Sequence, residues 1–467
     1  MPNRQRRNAR RERGATSCGP PRPRADHERW RGRVIIKARP PSRVGGRRKL
    51  MVHFIGPDND AYVASVIRHL AEYEEFSGEK VELEIIPETD YVTNSLDVLR
   101  GRLQGESAPD VYVSGPVSMW KLAGEGLVEP LDGYLDRCSA DFDPSDFLTP
   151  LLDCNRWTGK RGDALGTGPL LEIPVNWETY NLAYLPDVLE QAGLGEAPTT
   201  WEGYFDAAAA IAEKVPGVRG FAQRGTDTWH TMYTGFATQL WSYGGVDFDS
   251  AGRSAVASPE ALAATRDFIS ALHASGPTAW PGGHWLDVAR DFAAGRYGMI
   301  VDSDHYVAFF EGPHSAVRGR VAYTRPPTGP GGQRESNMWT WSLVMNSASR
   351  DKDAAWRFIE WASSRSFLTR AVHEGNMNPT RQSTWDDEGY RAVAATWNGF
   401  AENSLEILQT TARVLPAPMP EYLDVASIWS RGLVDAFAEP ARLEEILTAT
   451  AARIDGLEFG GGPVGGR

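Results

Sequence analysis

The sequence predicts an α/β protein with a parallel, doubly wound sheet and enough residues for two large lobes. Segments with strand character alternate with segments of helical period along the first part of the folded chain, which is typical of a parallel sheet covered by helices. The 467 residues are too many for one hydrophobic core. No apolar run approaches the ~18 residues of a membrane helix.

The first elements follow one another regularly. The pattern predicts strands at 53–56, 81–86 and 111–114, separated by helices at 61–76 and 92–103. In a doubly wound sheet, ligands bind at the carboxyl ends of the strands. Two of those ends carry the sequences PDND at 57–60 and SGP at 114–116.

Helical patterns dominate after Trp177. The predicted elements are helices at 180–192, 200–214, 229–243 and 258–274, with strands at 297–302 and 320–324. A cluster of Pro and Gly at 326–332 then breaks the pattern, as expected where a chain crosses between lobes. The glycine-rich segment 458–467 is expected to be a flexible tail.

The segment 291–306, DFAAGRYGMIVDSDHY, indicates a binding site. A short helix is expected to end at Gly295 in the left-handed C-cap conformation. Alternating apolar residues then predict a buried strand. Its tip carries Asp302, Asp304, His305 and Tyr306, and polar groups at a strand end are placed to meet a ligand.

The amino-terminal residues 1–50 differ from the rest in charge. They contain 15 Arg and 2 Lys against 3 acidic residues, and this composition predicts disorder. Two interpretations stay open: an arm that binds an anionic surface, or a biological start at Met51, directly before the first strand. A typical secretory leader, with a basic end and an apolar core, is not recognisable.

The charge of the remaining chain argues against nucleic acid as a partner. The whole protein carries −12 and residues 1–50 carry +14, so residues 51–467 carry −26. Such an acidic body repels a phosphate backbone.

The three cysteines and the short motifs indicate no metal or cofactor. Cys138 and Cys154 flank an acidic loop, so either a disulfide or two separate thiols is compatible with their spacing. That spacing fits no zinc pattern. A P-loop, a G-x-S-x-G elbow, an H-E-x-x-H motif and a dinucleotide fingerprint are all missing from the sequence.

The order of several segments resembles a known family. VHFIG, PDVYVSG, EIPVNWETYNLAYLPDVLEQAGL, TTWEGYFDAAAAIA and GMIVDSDHY precede RVAYTRPPTGPGG, TWSLVMN, DAAWRFIEWASS and GNMNPTR. From about Met51 to about residue 450, this arrangement resembles the extracellular solute-binding proteins of ABC sugar importers, the family that includes maltose-binding protein.

The resemblance implies the type II fold of periplasmic binding proteins, with two discontinuous α/β lobes, a hinge and a central ligand cleft. Lobe 1 would comprise residues 51–175 and 326–376, and lobe 2 residues 176–325 and 377–457. These crossings are implied by the family pattern, since the residues alone do not indicate them.

Sugar ligands present hydroxyl groups and apolar C–H faces, so their sites combine carboxylates and amides with aromatic platforms. The family pattern places Glu178 at a common acidic contact, flanked by Asn176, Trp177 and Tyr180. Alternatively, the two aromatic residues pack the hinge and Glu178 is solvated. Asp58 and Asn59 occupy a loop that the family uses for polar contacts, whereas a helix N-cap role is the alternative for Asp60.

The same pattern adds candidates from later segments. His305 falls where many relatives have a stacking aromatic. Trp339 and Trp341 alternate on one strand face, and we expect Trp339 to be the exposed one. Ser114 stands where maltose-binding relatives carry a Trp and an Asp, a departure that argues against maltodextrin. The further implied contacts are Trp229, His230, Asp302, Asp304, Asn376, Asn378 and Trp429.

The implied function is the capture of a sugar or polyol by lobe closure and its delivery to the transmembrane subunits of an ABC permease. The expected protein is an extracytoplasmic monomer without a cofactor or catalytic activity. A glycoside hydrolase is the alternative from another class. Such an enzyme needs two carboxylates across the scissile bond. The acidic and Trp residues of this chain imitate such a site, but nothing in the sequence pairs the carboxylates. A sensory subunit that presents its closed form to a receptor is a third possibility.

Overall fold

The computed structural model describes residues 35–36, 51–58, 60–87, 103, 108–233 and 235–459. Ten strands form a mixed sheet in the order β1-β3-β2-β4-β9-β5-β7-β6, with β10 beside β9 and β8 beside β5. The predicted α/β class is therefore confirmed. The strands are β1 Ile35–Ile36, β2 Met51–Pro57, β3 Lys80–Ile86, β4 Val111–Ser114, β5 Ile173–Tyr184, β6 Arg219–Ala222, β7 Tyr297–Ser303, β8 Ala322–Thr324, β9 Ser336–Met345 and β10 Ala412–Arg413.

The helices pack on both sides of this sheet. They are α1 Ala61–Ser77, α2 Pro116–Gly124, α3 Asp132–Leu135, α4 Thr149–Asp153, α5 Pro186–Gln191, α6 Trp201–Lys214, α7 Trp229–Tyr233, α8 Gly235–Ser242, α9 Pro259–Ser275, α10 Trp285–Ala293, α11 Val307–Phe310, α12 Lys352–Ala362, α13 Arg365–His373, α14 Gln382–Trp385, α15 Glu388–Ala394, α16 Phe400–Thr410, α17 Tyr422–Ala438 and α18 Leu443–Asp455. Short 3₁₀ turns span Pro144–Asp146, Asp304–Tyr306 and Pro440–Arg442.

The first part of the sheet contains the predicted strands. β2 runs parallel to both β3 and β4. β9, from much later in the chain, inserts antiparallel between β4 and β5, so the sheet is mixed and not fully parallel as predicted. Of the helix predicted at 92–103, all but the last residue lies outside the described residues.

Strand β5 corrects one prediction. The helix predicted at 180–192 is wrong for its first half, because β5 continues to Tyr184 between β7 and β8. Residues 180–183 are buried on both faces, and a doubly buried strand lacks the alternation that distinguishes a strand from a helix. Helix α5 begins only at Pro186, a favoured first helical residue.

The later elements agree with their predicted positions within a few residues. The predicted helices at 200–214 and 258–274 correspond to α6 and α9, and the one at 229–243 to α7 and α8, with Thr234 outside the described residues. Gly295 has φ +74 after α10 and delivers the chain into β7. The Pro and Gly cluster at 326–332 joins β8 to β9.

Cys138 and Cys154 are both free thiols. Of the two possibilities left open by their spacing, the structure contains separate thiols. Burial is the main effect on Cys154 and raises the pKa of its thiol well above the ordinary value.

Glu172, directly before β5, is completely buried. Burial raises the pKa of its carboxyl to about 8, although the nearby Ser114 hydroxyl acts in the opposite direction. Neither carboxylate oxygen accepts a well-formed hydrogen bond within the described part of the chain. The folded state therefore retains a proton that the unfolded chain releases at lower pH.

Because Glu172 keeps its proton in the folded state, the free energy of unfolding should depend on pH. Because the folded pKa lies above the unfolded one, the stabilising effect is complete below the unfolded pKa and is lost as the pH rises towards 8. The free energy of unfolding should fall by at most about 1.4 kcal/mol per pH unit in that window. Urea unfolding between pH 5 and 9 measures it. Glu172→Gln should reduce the slope of the profile, while exposed Glu444→Gln should not, and an unchanged Glu172→Gln profile would contradict the assignment.

Candidate functional site

A cavity of about 200 Å³ lies where several strand ends meet. Its lining comes from the turn between β2 and α1, from β5 and β9, and from the segments after β6 and β7. Eight of the lining residues are Trp, Tyr or Phe. The lining consists of Pro57, Asp60, Ala61, Glu178, Tyr180, Arg224, Trp229, His230, Tyr233, Trp285, Ser303, His305, Tyr306, Ala308, Phe309, Trp339, Trp341 and Gly375.

A buried ion pair forms at the tips of β6 and β7. Because these strands are parallel neighbours, their carboxyl ends bring Arg224 and Asp302 together. Arg224 Nε donates to Asp302 Oδ2 at 2.9 Å, and Arg224 Nη2 donates to Asp302 Oδ1. The guanidinium lies over the rings of Tyr306 and Tyr180, at 5.6 Å and 6.0 Å. Burial lowers the pKa of Arg224, but Asp302 opposes this effect and holds the pKa well above its ordinary value.

Stacked aromatic rings form one wall of the cavity. The indoles of Trp229 and Trp339 stack with their centroids 5.5 Å apart, and Tyr233 meets Trp339 edge-on at 5.2 Å. Gly115, at the end of β4, leaves the space that Trp339 occupies, since a Cβ there would overlap the indole. A flat aromatic wall of this kind suits the C–H face of a sugar or polyol.

A second aromatic cluster also lines the cavity. Trp285, the first residue of α10, stacks on Tyr306 with ring centroids 6.2 Å apart, and Phe309 packs against both. Tyr306 is buried in the 3₁₀ turn after β7. The cavity lining therefore contains two groups of packed aromatic rings.

Two carboxylates line the cavity. Glu178 Oε1 accepts a hydrogen bond of 3.0 Å from Trp341 Nε1 on β9. Asp60 Oδ1 accepts from the backbone N–H of Val63 at 2.8 Å and caps α1, as the alternative interpretation of Asp60 proposed. Burial in the cleft raises the pKa of Asp60, and His305 partly offsets this effect.

Beneath the cavity, Asp304 connects three segments. Its carboxylate accepts hydrogen bonds from Thr179 N at 3.0 Å, Thr179 Oγ1 at 2.8 Å and Asn378 Nδ2 at 2.7 Å. Burial is the largest effect on Asp304 and raises its pKa to about 7, although these hydrogen bonds lower it. The network holds Trp177 and Thr179, the neighbours of Glu178, and Asp304, which precedes His305.

The structure places six of the predicted site residues on the cavity surface: Glu178, Tyr180, Trp229, His230, His305 and Trp339. Their contact with a ligand stays a prediction. Asn59 lies outside the described residues. Asp302 stands directly behind the cavity as the partner of Arg224.

The other predicted residues take structural positions away from the lining. Asp58 donates its backbone N–H to Ile86, and Ser114 is buried at the end of β4. The side-chain amides of Asn376 and Asn378 donate hydrogen bonds to the backbone carbonyls of Val175 and Trp177, respectively. The remaining ones are buried in the core or its polar networks: Asn176, Trp177, Asp304 and Trp429.

The expectation that Trp339 is the exposed member of its pair is wrong. Trp339 is only 6% exposed, because its indole packs against Trp229, Tyr233 and the backbone at Gly115. Trp341 is half-buried instead, although both line the cavity. Alternation predicted their shared side of the strand but not which indole is covered.

Sequence reasoning missed Arg224, Tyr233, Trp285 and Phe309. The same strand-end logic that selected Asp302 applies to Arg224, which follows β6 in the sequence GFAQRG. Trp285 begins a helix after the turn-forming sequence PGGH, so an aromatic helix start beside a glycine turn was an available signal. The positions of Tyr233 and Phe309 depend on tertiary packing alone.

No helix within the described residues is both long and apolar enough to cross a membrane. In the same part of the chain, His, Cys, Asp and Glu side chains do not gather in groups of three or more that would hold a metal ion.

The fold and the cavity together define an α/β binding protein for a small solute. The model of the bacterial extracellular solute-binding protein family matches residues 57–366, and the chain belongs to that family. This confirms the resemblance inferred from the order of sequence segments.

Two relatives have named ligands. The chain is 29% identical over 397 residues to the erythritol/L-threitol-binding protein of Mycolicibacterium smegmatis, covering 83% of this chain and 82% of the relative. It is 28% identical over 327 residues to the mannitol-binding protein of Pseudomonas aeruginosa, covering 67% of this chain and 70% of the relative.

Solved structures share the fold. An ABC transporter solute-binding protein from Agrobacterium radiobacter in complex with ribitol superposes with a TM-score of 0.76 at 20% identity, covering 87% of this chain and 98% of the other. Maltose-bound MalE3 from T. maritima superposes with a TM-score of 0.75 at 22% identity, covering 87% of this chain and 99% of the other. These likenesses confirm the periplasmic-binding-protein-like fold class.

Proposed function

We propose that the protein is the substrate-binding component of an ABC importer and captures a polyol or a single sugar unit in the aromatic cavity. The observation that carries the proposal is the combination of two aromatic clusters with polar groups of both kinds. Arg224 supplies N–H donors, whereas Glu178 and Asp60 supply acceptor oxygens. Such a lining complements a molecule that alternates hydroxyl groups with C–H faces.

The charge of the lining favours a neutral ligand. Asp302 neutralises Arg224 within a buried, two-bond ion pair, so this cation has little attraction left for an anion. Glu178 and Asp60 add acidic groups to the same cavity. An anionic ligand would have to approach carboxylates without an unpaired cation to compensate.

The size of the cavity favours a short ligand. Its volume of about 200 Å³ is smaller than the roughly 300–1,000 Å³ typical of pockets for drug-sized molecules. The named ligands of the two relatives, erythritol or threitol and mannitol, are short open-chain polyols. We therefore propose short polyols, in preference to maltodextrins, as the ligand class.

Binding is proposed to proceed by closure of two lobes, residues 51–175 with 326–376 and residues 176–325 with 377–457. Asp60 from the first set and Arg224 from the second line one cavity, so a ligand between them would stabilise the closed form. Micromolar affinity corresponds to about 8 kcal/mol. The closed monomer would then present the solute to a permease outside the cytoplasm.

The glycoside hydrolase remains the alternative that a direct experiment must separate. Asp60 and Glu178 are two carboxylates in one cavity, but one oxygen of Asp60 is held by the α1 backbone and one of Glu178 by an indole. We propose that both act as binding groups without catalysis. A sensory subunit would use the same cavity and differ only in its membrane partner.

A thermal-shift screen of tetritols, pentitols, hexitols, monosaccharides and maltose tests the proposal. A ligand at a hundred times its dissociation constant stabilises the folded state by about 2.7 kcal/mol. A stabilising polyol recovered unchanged supports solute binding. Degradation of the stabilising compound would support the hydrolase, and no stabilisation by any compound would reject the proposed ligand class.

Glu178→Gln should weaken binding of the stabilising polyol at least tenfold, because an amide replaces one strong acceptor oxygen in the cavity. The melting temperature without ligand should change little, since Glu178 is a half-buried cavity residue and glutamine has the same shape. Calorimetric titration measures the affinity, with exposed Glu190→Gln as the control. Unchanged affinity would remove Glu178 from the site.

A further inference from the structure

A small side chamber opens beside the main cavity. Its volume is about 10 Å³, comparable to the space needed by one water-sized group. The chamber shares Arg224, His230 and Trp285 with the main cavity. Its far side is formed by His284 and two glycine-containing turns, in which Gly225 and Gly283 form a bridge with an N–H···O distance of 3.0 Å. The chamber is therefore an extension of the binding cavity.

Two of the residues that line this chamber, His230 and His284, have unpartnered ring nitrogens. His230 Nε2 and His284 Nε2 are both buried, and neither has a hydrogen-bond partner among the described residues. The two ring centroids lie 6.2 Å apart. His230 is 7% exposed and is fixed by stacking on Trp229 at 3.9 Å and by Thr228 Oγ1 at 3.3 Å from Nδ1.

An unpartnered buried polar atom destabilises a protein by roughly 1–3 kcal/mol. Two such atoms on residues that line one chamber offer hydrogen-bonding capacity to a group that enters it. A hydroxyl fits this requirement, because it donates one hydrogen bond and accepts others, while a neutral imidazole nitrogen can either donate or accept. A third polar group is available, since Arg224 Nη1 has no hydrogen bond to the described protein, whereas Nε and Nη2 both serve Asp302.

Both imidazoles are suited to neutral hydrogen bonding. Burial is the main effect that lowers the pKa of His230 and of His284, and the nearby Arg224 cation lowers both further. Asp287 partly opposes the shift at His284. Protonation of either ring would place a second cation beside Arg224.

We propose that this chamber is the subsite for the terminal hydroxyl of an open-chain polyol, held by His230, His284 and Arg224. The assignment rests on the proposed function and specifies which part of the ligand enters first. One hydroxyl group matches a chamber of this size, and its CH₂ group would then lie at the chamber's opening into the main cavity.

The test combines a protein variant with a ligand variant. Calorimetric titrations would compare D-mannitol with 1,6-dideoxy-D-mannitol, which lacks the hydroxyl at both ends, because either end of mannitol can enter the chamber. The proteins would be the unaltered chain, His284→Leu, His284→Gln and His230→Gln. His314→Leu, an exposed position, is the control.

The unaltered protein should bind mannitol at least tenfold more tightly than the dideoxy compound. His284→Leu should lose at least tenfold in mannitol affinity and should distinguish the two ligands by a smaller factor, which the second end of mannitol contributes. His284→Gln and His230→Gln each keep a polar group, so each should retain part of the difference.

Two negative results have different meanings. If mannitol binds but His284→Leu still prefers it over the dideoxy compound by the original factor, the subsite is wrong and the proposed function stands. If neither mannitol nor ribitol nor erythritol binds the unaltered protein, the subsite and the proposed function fail together. Circular dichroism of each variant separates loss of folding from loss of binding.

Discussion

Asp302→Ala is expected to lower the free energy of unfolding by about 3–5 kcal/mol, because it leaves the buried guanidinium of Arg224 without its counter-charge. The side chains of Arg224 and Asp302 are 9% and 1% exposed, so water does not replace the lost carboxylate. Ligand affinity should fall as well, since Asp302 fixes the direction in which the remaining Arg224 N–H groups point.

Urea unfolding measures this effect, and the chain offers a matched control. Arg296 and Asp291 form an ion pair of 2.6 Å on the surface, where such pairs contribute about 0–1 kcal/mol. Asp291→Ala should therefore be nearly neutral. Replacing both Arg224 and Asp302 by Leu should restore stability relative to the single change, but not binding. Equal stability of Asp302→Ala and the unaltered protein would exclude a structural role for the pair.

Gly115→Ala should displace the Trp339 indole and weaken ligand binding at least tenfold. Gly115 has an extended backbone with φ −148, which any residue can adopt, so the effect is purely steric. A methyl group there would overlap the indole ring, and such overpacking typically costs about 1–3 kcal/mol of stability. The displaced indole would also lose its stacking on Trp229.

Fluorescence of the tryptophans, calorimetric titration and urea unfolding follow the displacement, the affinity and the stability. Gly195→Ala is the matched control, because a Cβ at Gly195 would meet no atom within 4 Å. If Gly115→Ala keeps its affinity, Trp339 moves without affecting the ligand, and the stacked wall is not part of the binding surface.

Local sequence rules predicted the elements and the tip of β7 well. Strand ends collect polar side chains, and this rule selected Asp302, Asp304 and His305 before their neighbours were known. Glu178 was found through the family pattern and not through periodicity. The sequence pattern did not predict the short strand β6, and the position of Arg224 at its end was missed for that reason.

The remaining differences arise from contacts between distant segments. Trp177 and Trp429 resemble surface candidates in sequence, yet both are completely buried, and only the packing of later helices decides this. Asn378 and Asp304 are polar residues of the core network beneath the cavity, where Asn378 Nδ2 donates to Asp304 Oδ1. Strand β5 was mistaken for a helix over 180–184, since burial on both faces removes the period-two signal.

The pairing of Arg224 with Asp302 also shortens the range over which the site attracts charged molecules. An unpaired arginine attracts every anion within about a Debye length, ~8 Å at physiological ionic strength. The paired guanidinium acts only on molecules already in contact with its free N–H groups. Phosphorylated and carboxylated metabolites are therefore not concentrated at the entrance, and neutral solutes compete for the cavity on shape and hydroxyl geometry alone.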